Sequence, residues 1–148
     1  MATRSIDVRP IDSGNFRDVL DLEVTPEQGA WVAPTARYLA LCAYGGVWHP
    51  LGLYANDKAI GFAMWALDTG EGSHWIGGFL IDHRHQRRGH GRAAVGALVE
   101  WLRREQGATS LALSYHPDNV IAERLYTGSG FAATGEEEEG ELIARRPA

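Results

Sequence analysis

The segment from residue 86 to residue 92 constrains the fold more than any other part of the chain. It reads Gln86-Arg87-Arg88-Gly89-His90-Gly91-Arg92 and follows the apolar run 79–81 and the polar run 82–85. A glycine-bearing loop at the start of a helix presents free backbone N–H groups and the positive end of the helix dipole. Four arginines lie in or just before this loop, namely Arg84, Arg87, Arg88 and Arg92. The segment therefore predicts a strand, a phosphate-binding loop and a helix, in that order.

Other interpretations of the loop also fit part of the pattern. The glycines could serve only the turn into the helix, with the arginines in solvent. Gly89, Gly91 and Ala94 match the dinucleotide-binding fingerprint. That fingerprint, however, requires the strand to lead directly into the first glycine of a parallel sheet, whereas residues 82–88 intervene here. The loop contains no Gly-Lys-Ser/Thr, which excludes a Walker phosphate loop.

Hydrophobic periodicity predicts the elements on both sides of the loop. The predicted helices span residues 15–22, 31–44, 91–106 and 120–128, and the predicted strands span residues 5–9, 51–54, 59–67, 74–81 and 110–114. A hairpin with turn residues 55–58 and a final hairpin over residues 131–144, with an acidic turn at 136–141, complete the pattern. The order βααβββαβαββ indicates an α/β (α+β) fold with a mixed sheet. The chain has 148 residues, which is the length of one domain, 1–148.

Composition excludes several classes of function. The formal net charge is −5 and the basic residues form no long run, so nucleic acid is not an expected partner. Residues 1–10 contain no apolar signal-peptide core, and no stretch approaches the ~20 apolar residues of a membrane span. We therefore expect a cytoplasmic protein without membrane contact. Cys42 is the only cysteine, so it is interpreted as a small buried hydrophobe rather than a disulfide partner or metal ligand.

Three loop histidines, His83, His85 and His90, suggest a metal site at first sight. The four neighbouring arginines repel a cation, and no fixed set of carboxylates accompanies the imidazoles. We expect no bound metal.

Two motifs in the chain resemble the GNAT family of N-acetyltransferases. The cofactor motif of that family, Gln/Arg-x-x-Gly-x-Gly/Ala at the start of a helix, matches residues 86–91 without a gap. A second family signature, Asn-x-x-Ala…Leu-Tyr…Gly-Phe, matches Asn119, Ala122, Leu125-Tyr126 and Gly130-Phe131. The resemblance implies a mostly antiparallel mixed sheet flanked by about four helices, acetyl-CoA as cosubstrate and a primary amine as acceptor. It is also compatible with a homodimer.

The resemblance implies which residues bind the cofactor. The backbone of Leu80, Ile81 and Asp82 would pair with the pantetheine arm. The pyrophosphate would be bound by the loop residues Gln86, Arg87, Arg88, Gly89, His90, Gly91 and Arg92. Asn119 and Tyr126 would lie beside the same cofactor.

The chemistry of acetyl transfer requires a proton acceptor and a proton donor. An alkyl ammonium with a pKa near 10.4 must lose a proton before its nitrogen attacks, and the departing thiolate gains from a nearby acid. Tyr126 is the expected general acid, and Asn119 lies two helical turns earlier on the same face. The alternative for Tyr126 is a buried ring that packs behind Phe131.

The general base is less evident from the sequence. Mammalian polyamine acetyltransferases, which the chain resembles more distantly, have acidic residues at positions that correspond here to Gly77 and Gly78. Glu23, Asp82 and His74 are the remaining candidates, with Glu23 favoured, and a chain of water molecules is another.

A narrower resemblance concerns the substrate. Stretches that look like the bacterial spermine/spermidine acetyltransferases lie at residues 22–40, 53–62, 79–82 and 134–141. This suggests a polyamine or diamine such as spermidine or spermine. The glutamate run 136–139 is either a solvated turn or an electrostatic attractor for such a polycation. The other hypotheses are acetylation of an antibiotic, an amino acid or a protein N-terminus, and a non-catalytic acyl-CoA sensor.

Overall fold

The computed structural model describes residues 5–148, and a single seven-stranded sheet runs through this part of the chain. The strands are β1 (Asp7–Pro10), β2 (His49–Ala55), β3 (Lys58–Asp68), β4 (Ser73–Ile81), β5 (Ser110–Tyr115), β6 (Ala132–Glu138) and β7 (Glu141–Pro147), in the spatial order β1-β2-β3-β4-β5-β7-β6. The helices are α1 (Arg17–Leu20), α2 (Thr35–Gly45), α3 (His90–Gln106) and α4 (Val120–Gly128). Residues 1–4 lie outside the described residues. They belong to the segment 1–10, in which the sequence analysis expects no signal-peptide core.

The predicted order βααβββαβαββ and the mixed, mostly antiparallel sheet are confirmed. Only β4 and β5 pair in parallel; the other neighbouring strands are antiparallel. None of the described helices is long and apolar enough to cross a membrane.

Two helices are shorter than predicted, for local reasons. α2 begins at Thr35 instead of residue 31, because Pro34 adopts an extended conformation (ψ 145°) and disfavours a helical residue before it. α1 begins at Arg17 instead of residue 15, because the Asn15 side chain bonds the Asp12 N–H and the Pro10 carbonyl. Such side-chain bonds compete with the helix.

Both hairpin turns are tighter than predicted. Asn56 and Asp57 alone form the β2–β3 turn, with φ values of 51° and 64°, and Ala55 already pairs with Lys58. The acidic hairpin turns at Glu139 and Gly140, so residues 136–138 lie in β6 and Glu141 starts β7. Two-residue turns with positive φ match the twist of antiparallel strands.

Side chains bury the two faces of the sheet against different helices. On one face, Val95, Leu98 and Leu102 of α3 pack with Leu111 and Leu113 of β5. On the other face, α1 and α2 cover Tyr54, Phe62, Met64 and Leu80, with Cys42 half-buried among them. Burial raises the pKa of the Cys42 thiol to about 11, in keeping with a packing role.

The parallel strands β4 and β5 diverge toward their C-terminal ends. Their pairing is confined to His74 opposite Leu111 and Trp75 opposite Ala112. From residue 76 onward β4 keeps only its antiparallel partner β3, and a bulge at Gly78 (φ 59°) bends it further. Because α3 follows the end of β4 and α4 follows the end of β5, the resulting cleft lies beside the N-termini of both helices. We call it the β4–β5 cleft.

Candidate active site

Asp82 fixes the chain where β4 leads into the phosphate-binding loop. Its buried carboxylate accepts hydrogen bonds from the Glu23 N–H (3.0 Å) and the Arg84 N–H (3.2 Å), and it pairs with Arg84 Nε at 2.8 Å. Burial alone would raise the pKa of Asp82, but the Arg84 side chain and the two backbone N–H groups hold that pKa below its ordinary value. A carboxylate satisfied in this way serves to hold the loop, and its contacts give no support to Asp82 as a general base.

The backbone direction along β4 shows which of its residues have their N–H and carbonyl groups directed to the β4–β5 cleft. The Asp82 N–H donates to the Ile60 carbonyl at 2.8 Å, toward β3. Because backbone groups alternate in direction along an antiparallel pair, Leu80 also bonds toward β3 and Ile81 is directed away from it. Among the three residues predicted to pair with pantetheine, only Ile81 therefore has its N–H and carbonyl directed to the cleft.

Gln86 anchors the loop to the segment before α2. Its side-chain amide donates to the Ile81 carbonyl at 2.7 Å and to Gln28 Oε1 at 2.8 Å. Gln28 returns a hydrogen bond to Gln86 Oε1 at 3.1 Å. The predicted cofactor residue Gln86 thus uses its side chain to hold the loop in place.

The start of α3 is open to an anion. Arg87 and Gly89 adopt positive φ angles of 60° and 78°, and the Ala93 N–H donates to the Gly89 carbonyl at 3.2 Å. No side chain caps the helix, and within residues 5–148 the N–H groups of Arg88, Gly89, Gly91 and Arg92 meet no acceptor. These unsatisfied donors and the helix dipole suit a phosphate.

The arginines near the loop fall into two groups. Arg84 neutralises Asp82, whereas Arg87, Arg88 and Arg92 form no ion pair within the described part of the chain. Arg92 lies against the end of α4, where a β-carbon at Gly128 would be 2.5 Å from its Nη2 atom. Arg87, Arg88 and Arg92 are therefore available to an anionic ligand. His90 lies within the same loop, with its ring 6.3 Å from that of His85.

The second motif forms the opposite wall of the cleft. Asn119 caps α4, because its Oδ1 atom accepts a hydrogen bond from the Ala122 N–H at 3.2 Å. The Tyr126 ring lies among three aromatic rings, with centroid distances of 6.2 Å to Phe79, 6.0 Å to Tyr115 and 6.1 Å to Phe131. Tyr126 therefore packs on Phe131, as its alternative interpretation held, and also faces β4 across the cleft.

The Tyr126 hydroxyl is suited to donate a proton. Burial raises the pKa of this phenol above its ordinary value, and the nearby Glu141 and Tyr38 raise it further. No hydrogen bond to this hydroxyl is present among residues 5–148. It is therefore protonated at neutral pH and not engaged elsewhere in the described part of the chain.

Two predicted base candidates lie in unsuitable places or environments. His74 is buried near the N-terminal end of β4, five residues from Phe79 and hence about 16 Å along the strand. Burial also lowers its pKa, so the structure gives no support to His74 as the base. Glu23 is exposed and is joined to the loop through its backbone, since its carbonyl accepts from the His83 N–H at 2.7 Å.

Aromatic rings occupy the space that acidic side chains would need on β4. A β-carbon at Gly77 would lie 3.0 Å from Trp48 Cη2, and one at Gly78 would lie 3.2 Å from Tyr38 Cδ2. A glutamate at either position would displace a ring. The absence of carboxylates at these two positions therefore follows from the packing.

Glu141 is a site residue that the sequence analysis did not identify. It was assigned to the acidic turn, but it begins β7 and is half-buried, with Oε1 accepting a hydrogen bond from Ser114 Oγ at 2.7 Å. Its charge reaches Tyr126, as the raised pKa of that phenol indicates. A usable signal was the turn glycine at 140, which returns the next residue to a strand.

The fold and the site together define an acetyltransferase. The chain belongs to the acetyltransferase (GNAT) family, whose pattern it matches over residues 16–131. It is an acetyl-CoA-dependent N-acetyltransferase, and the open start of α3, the three free arginines and the β4–β5 cleft fit this cosubstrate. The antiparallel pairing of β4 with β3 also differs from the parallel strands of a dinucleotide-binding unit.

A curated relative agrees with this assignment, and solved structures agree with the fold. The spermine/spermidine N(1)-acetyltransferase of Bacillus subtilis is 31% identical over 138 residues, which is 89% of this chain and 91% of the relative. Aminoglycoside acetyltransferase AAC(6')-Ib, solved with paromomycin and acetyl-CoA, superimposes with a TM-score of 0.80 at 20% identity, covering 97% of this chain and 93% of that one. Spermidine N-acetyltransferase from Vibrio cholerae, solved with CoA and spermine, gives a TM-score of 0.72 at 14% identity, covering 95% of this chain and 93% of that one.

Proposed function

We propose that the chain transfers the acetyl group of acetyl-CoA to a primary amine of a polyamine or diamine such as spermidine or spermine. The observation that carries the substrate class is the 31% identity to the Bacillus spermine/spermidine enzyme over 89% of the chain. The half-buried carboxylate of Glu141 near the cleft is consistent with a polycationic substrate. We further propose that the whole chain acts as one domain in the cytoplasm. A homodimer stays a prediction.

In the proposed cofactor site, the loop binds the pyrophosphate. The N–H groups of Arg88, Gly89, Gly91 and Arg92 point to no internal acceptor, and three arginines add positive charge. Ile81 offers its backbone N–H to the pantetheine arm. The Asn119 amide group has no partner among residues 5–148 once its oxygen has capped α4, so it can donate to the same ligand.

In the proposed mechanism, the neutral amine attacks the thioester directly. A C–N bond forms at the carbonyl carbon, the C–S bond breaks, and the surplus proton on nitrogen passes to solvent. Tyr126 donates its phenolic proton to the departing sulfur and regains a proton from water afterwards. The position of the Tyr126 ring facing Phe79 of β4 supports this role, and the phenol is protonated at neutral pH before the thiolate forms.

An amine panel tests the proposal. Thiol release from acetyl-CoA would be followed with spermine, spermidine, an aminoglycoside, an amino acid and a peptide with a free N-terminus. We expect turnover to be fastest with spermine or spermidine. Faster turnover of the aminoglycoside would move the substrate class to antibiotics, and calorimetric binding of acetyl-CoA without turnover of any amine would indicate a sensor.

A further inference from the structure

Glu141 is a carboxylate that the protein leaves without a cation. Its only hydrogen bond among the described residues comes from the neutral hydroxyl of Ser114, at 2.7 Å. Two other carboxylates near the cleft and in the same hairpin are paired: Asp82 with Arg84 at 2.8 Å, and Glu136 with Arg145 at 3.2 Å. No Lys, Arg or His of residues 5–148 lies within ion-pair distance of Glu141.

Glu141 lies beside the C-terminal end of β5, the strand that forms one side of the β4–β5 cleft. The next residue of β7, Leu142, lies opposite Tyr115 at the C-terminal end of β5. The Tyr115 ring is 6.0 Å from the ring of Tyr126. The residue after Tyr115 is His116, whose ring lies 4.8 Å from that of Trp31. Glu141 therefore lies beside the end of β5, where the Tyr115 ring contacts Tyr126 and the His116 ring contacts Trp31.

Electrostatics explain why such a carboxylate needs an external partner. A partly buried charge loses hydration, and a single neutral hydroxyl compensates only part of that loss. A cation that arrives with the substrate would complete the compensation. The Trp31 ring, which contacts the ring of His116 two residues after Ser114 and is 36% exposed, offers an additional surface for an alkyl ammonium.

The reacting amine is not the best partner for this carboxylate. That amine must lose a proton before it attacks, and a neighbouring negative charge favours the protonated form. An ammonium group that is not acetylated keeps its proton throughout the reaction. Its ion pair with a carboxylate therefore does not hinder the deprotonation that the reacting amine requires.

We propose that Glu141 binds a second ammonium group of the substrate and thereby makes the enzyme selective for amines that carry one. This inference rests on the proposed function, and it names the substrate class as diamines and polyamines rather than monoamines. The assignment follows from the Ser114 contact, the absence of a paired cation in the described residues and the place of Glu141 beside the end of β5, whose Tyr115 ring contacts Tyr126.

The test compares 1,4-diaminobutane with butylamine, which differ only in the second amine. The quantity measured is the ratio of their kcat/KM values in the wild type, Glu141→Gln and Glu138→Gln. Glutamine can still accept the Ser114 hydrogen bond, and Glu138 is the exposed residue opposite Glu141 in the same hairpin. We expect the ratio to fall about 10- to 100-fold in Glu141→Gln, as for a lost charged hydrogen bond. It should stay within about threefold of wild type in Glu138→Gln.

Two results would overturn the inference. An unchanged ratio in Glu141→Gln with neither amine affected would show that the carboxylate contributes to no substrate contact. An unchanged ratio with equal losses for both amines would assign the carboxylate to the reacting nitrogen instead of the second ammonium. If Glu141→Gln fails to fold, as judged by circular dichroism, Glu141→Asp serves as the test. Shortening the side chain should lower the ratio, and a wild-type ratio in a folded aspartate variant would reject the idea. A wild-type protein that acetylates no amine would contradict the proposed function instead.

Discussion

The carboxylates of Asp82 and Glu141 lie on opposite sides of the β4–β5 cleft and are treated differently by the protein. Asp82 is fully buried and accepts hydrogen bonds from one guanidinium and two backbone N–H groups. Glu141 is half-buried and accepts one hydroxyl. Asp82 thus stabilises the loop that binds the cofactor, whereas Glu141 remains available to a ligand. Burial alone therefore does not indicate whether a carboxylate is structural or functional; the number of its donors does.

The largest expected effect concerns Tyr126, which faces the cleft between these two carboxylates. Tyr126→Phe should lower kcat by about 10²- to 10⁴-fold, the usual worth of general acid catalysis, with acetyl-CoA affinity unchanged. A thiol-release assay would measure kcat, and calorimetry would measure the acetyl-CoA affinity. Tyr115→Phe is the matched control, because its ring lies 6.0 Å away on β5 and has no proposed catalytic role. A wild-type kcat in Tyr126→Phe would leave this residue with packing alone.

The pH profile sharpens the same prediction. Burial and the charge of Glu141 raise the pKa of Tyr126 above its ordinary value of about 10. Because the acid form persists to higher pH than in a free tyrosine, kcat should not decline between neutral pH and about pH 10. A decline with a midpoint below 9 would assign the proton donor to another group.

The next effect in size is on stability and concerns Asp82. Asp82→Asn should reduce the free energy of unfolding by about 2–3 kcal/mol, because it weakens hydrogen bonds to a buried charge. The control is Asp21→Asn, which changes an exposed carboxylate whose charge also acts on Arg84 and should alter stability by less than about 0.5 kcal/mol. Urea denaturation of both variants and the wild type would decide the matter.

Acid unfolding gives an independent measure of Asp82. Its pKa is lower in the folded state than in the unfolded state, so its contribution is complete above the unfolded value and is lost as pH falls through the folded value. Below about pH 4, the wild type should lose stability more steeply than Asp82→Asn. Parallel acid curves would contradict the ion pair with Arg84.

The two sides of the cleft also differ in how far the sequence predicts them. The cofactor loop is contiguous, so the residue types at 86–92 and their positive-φ glycine already specify a helix start and an anion site. Tyr126 can be predicted from the sequence as a site residue because it lies within a local motif. The order of elements followed from periodicity, which depends on neighbouring residues only.

Long-range contacts explain what the sequence could not predict. The amide pair of Gln28 and Gln86 joins residues 58 positions apart, and the Ser114–Glu141 bond joins residues 27 positions apart. The turn glycine at 140 indicates that Glu141 begins a strand, but nothing in one sequence indicates that this strand end lies beside a cleft. The space beside Gly77 is occupied by the Trp48 ring, and this too depends on the tertiary fold.

A smaller effect is expected at the cofactor loop. The double change Arg87→Gln and Arg88→Gln should weaken acetyl-CoA binding by about 3- to 10-fold, since exposed charges each contribute less than about 1 kcal/mol. The difference should shrink at high salt, because screening already reduces the attraction. Arg104→Gln, near the far end of α3, is the control and should bind as the wild type does. Equal affinities in calorimetry at low salt would indicate that the phosphates bind elsewhere.

The smallest effect is expected from the exposed glutamates of the β6–β7 hairpin, which contrast directly with Glu141. Glu137, Glu138 and Glu139 are all exposed, and none of them forms an ion pair within residues 5–148. Their attraction for a polycation is screened over about 8 Å at physiological salt. Changing all three to glutamine should therefore raise the KM for spermidine less than about twofold at physiological salt and somewhat more at low salt. Initial-rate measurements at two ionic strengths would test this. An increase above tenfold at physiological salt would make the exposed run, rather than the half-buried Glu141, the part of the hairpin that selects a polyamine.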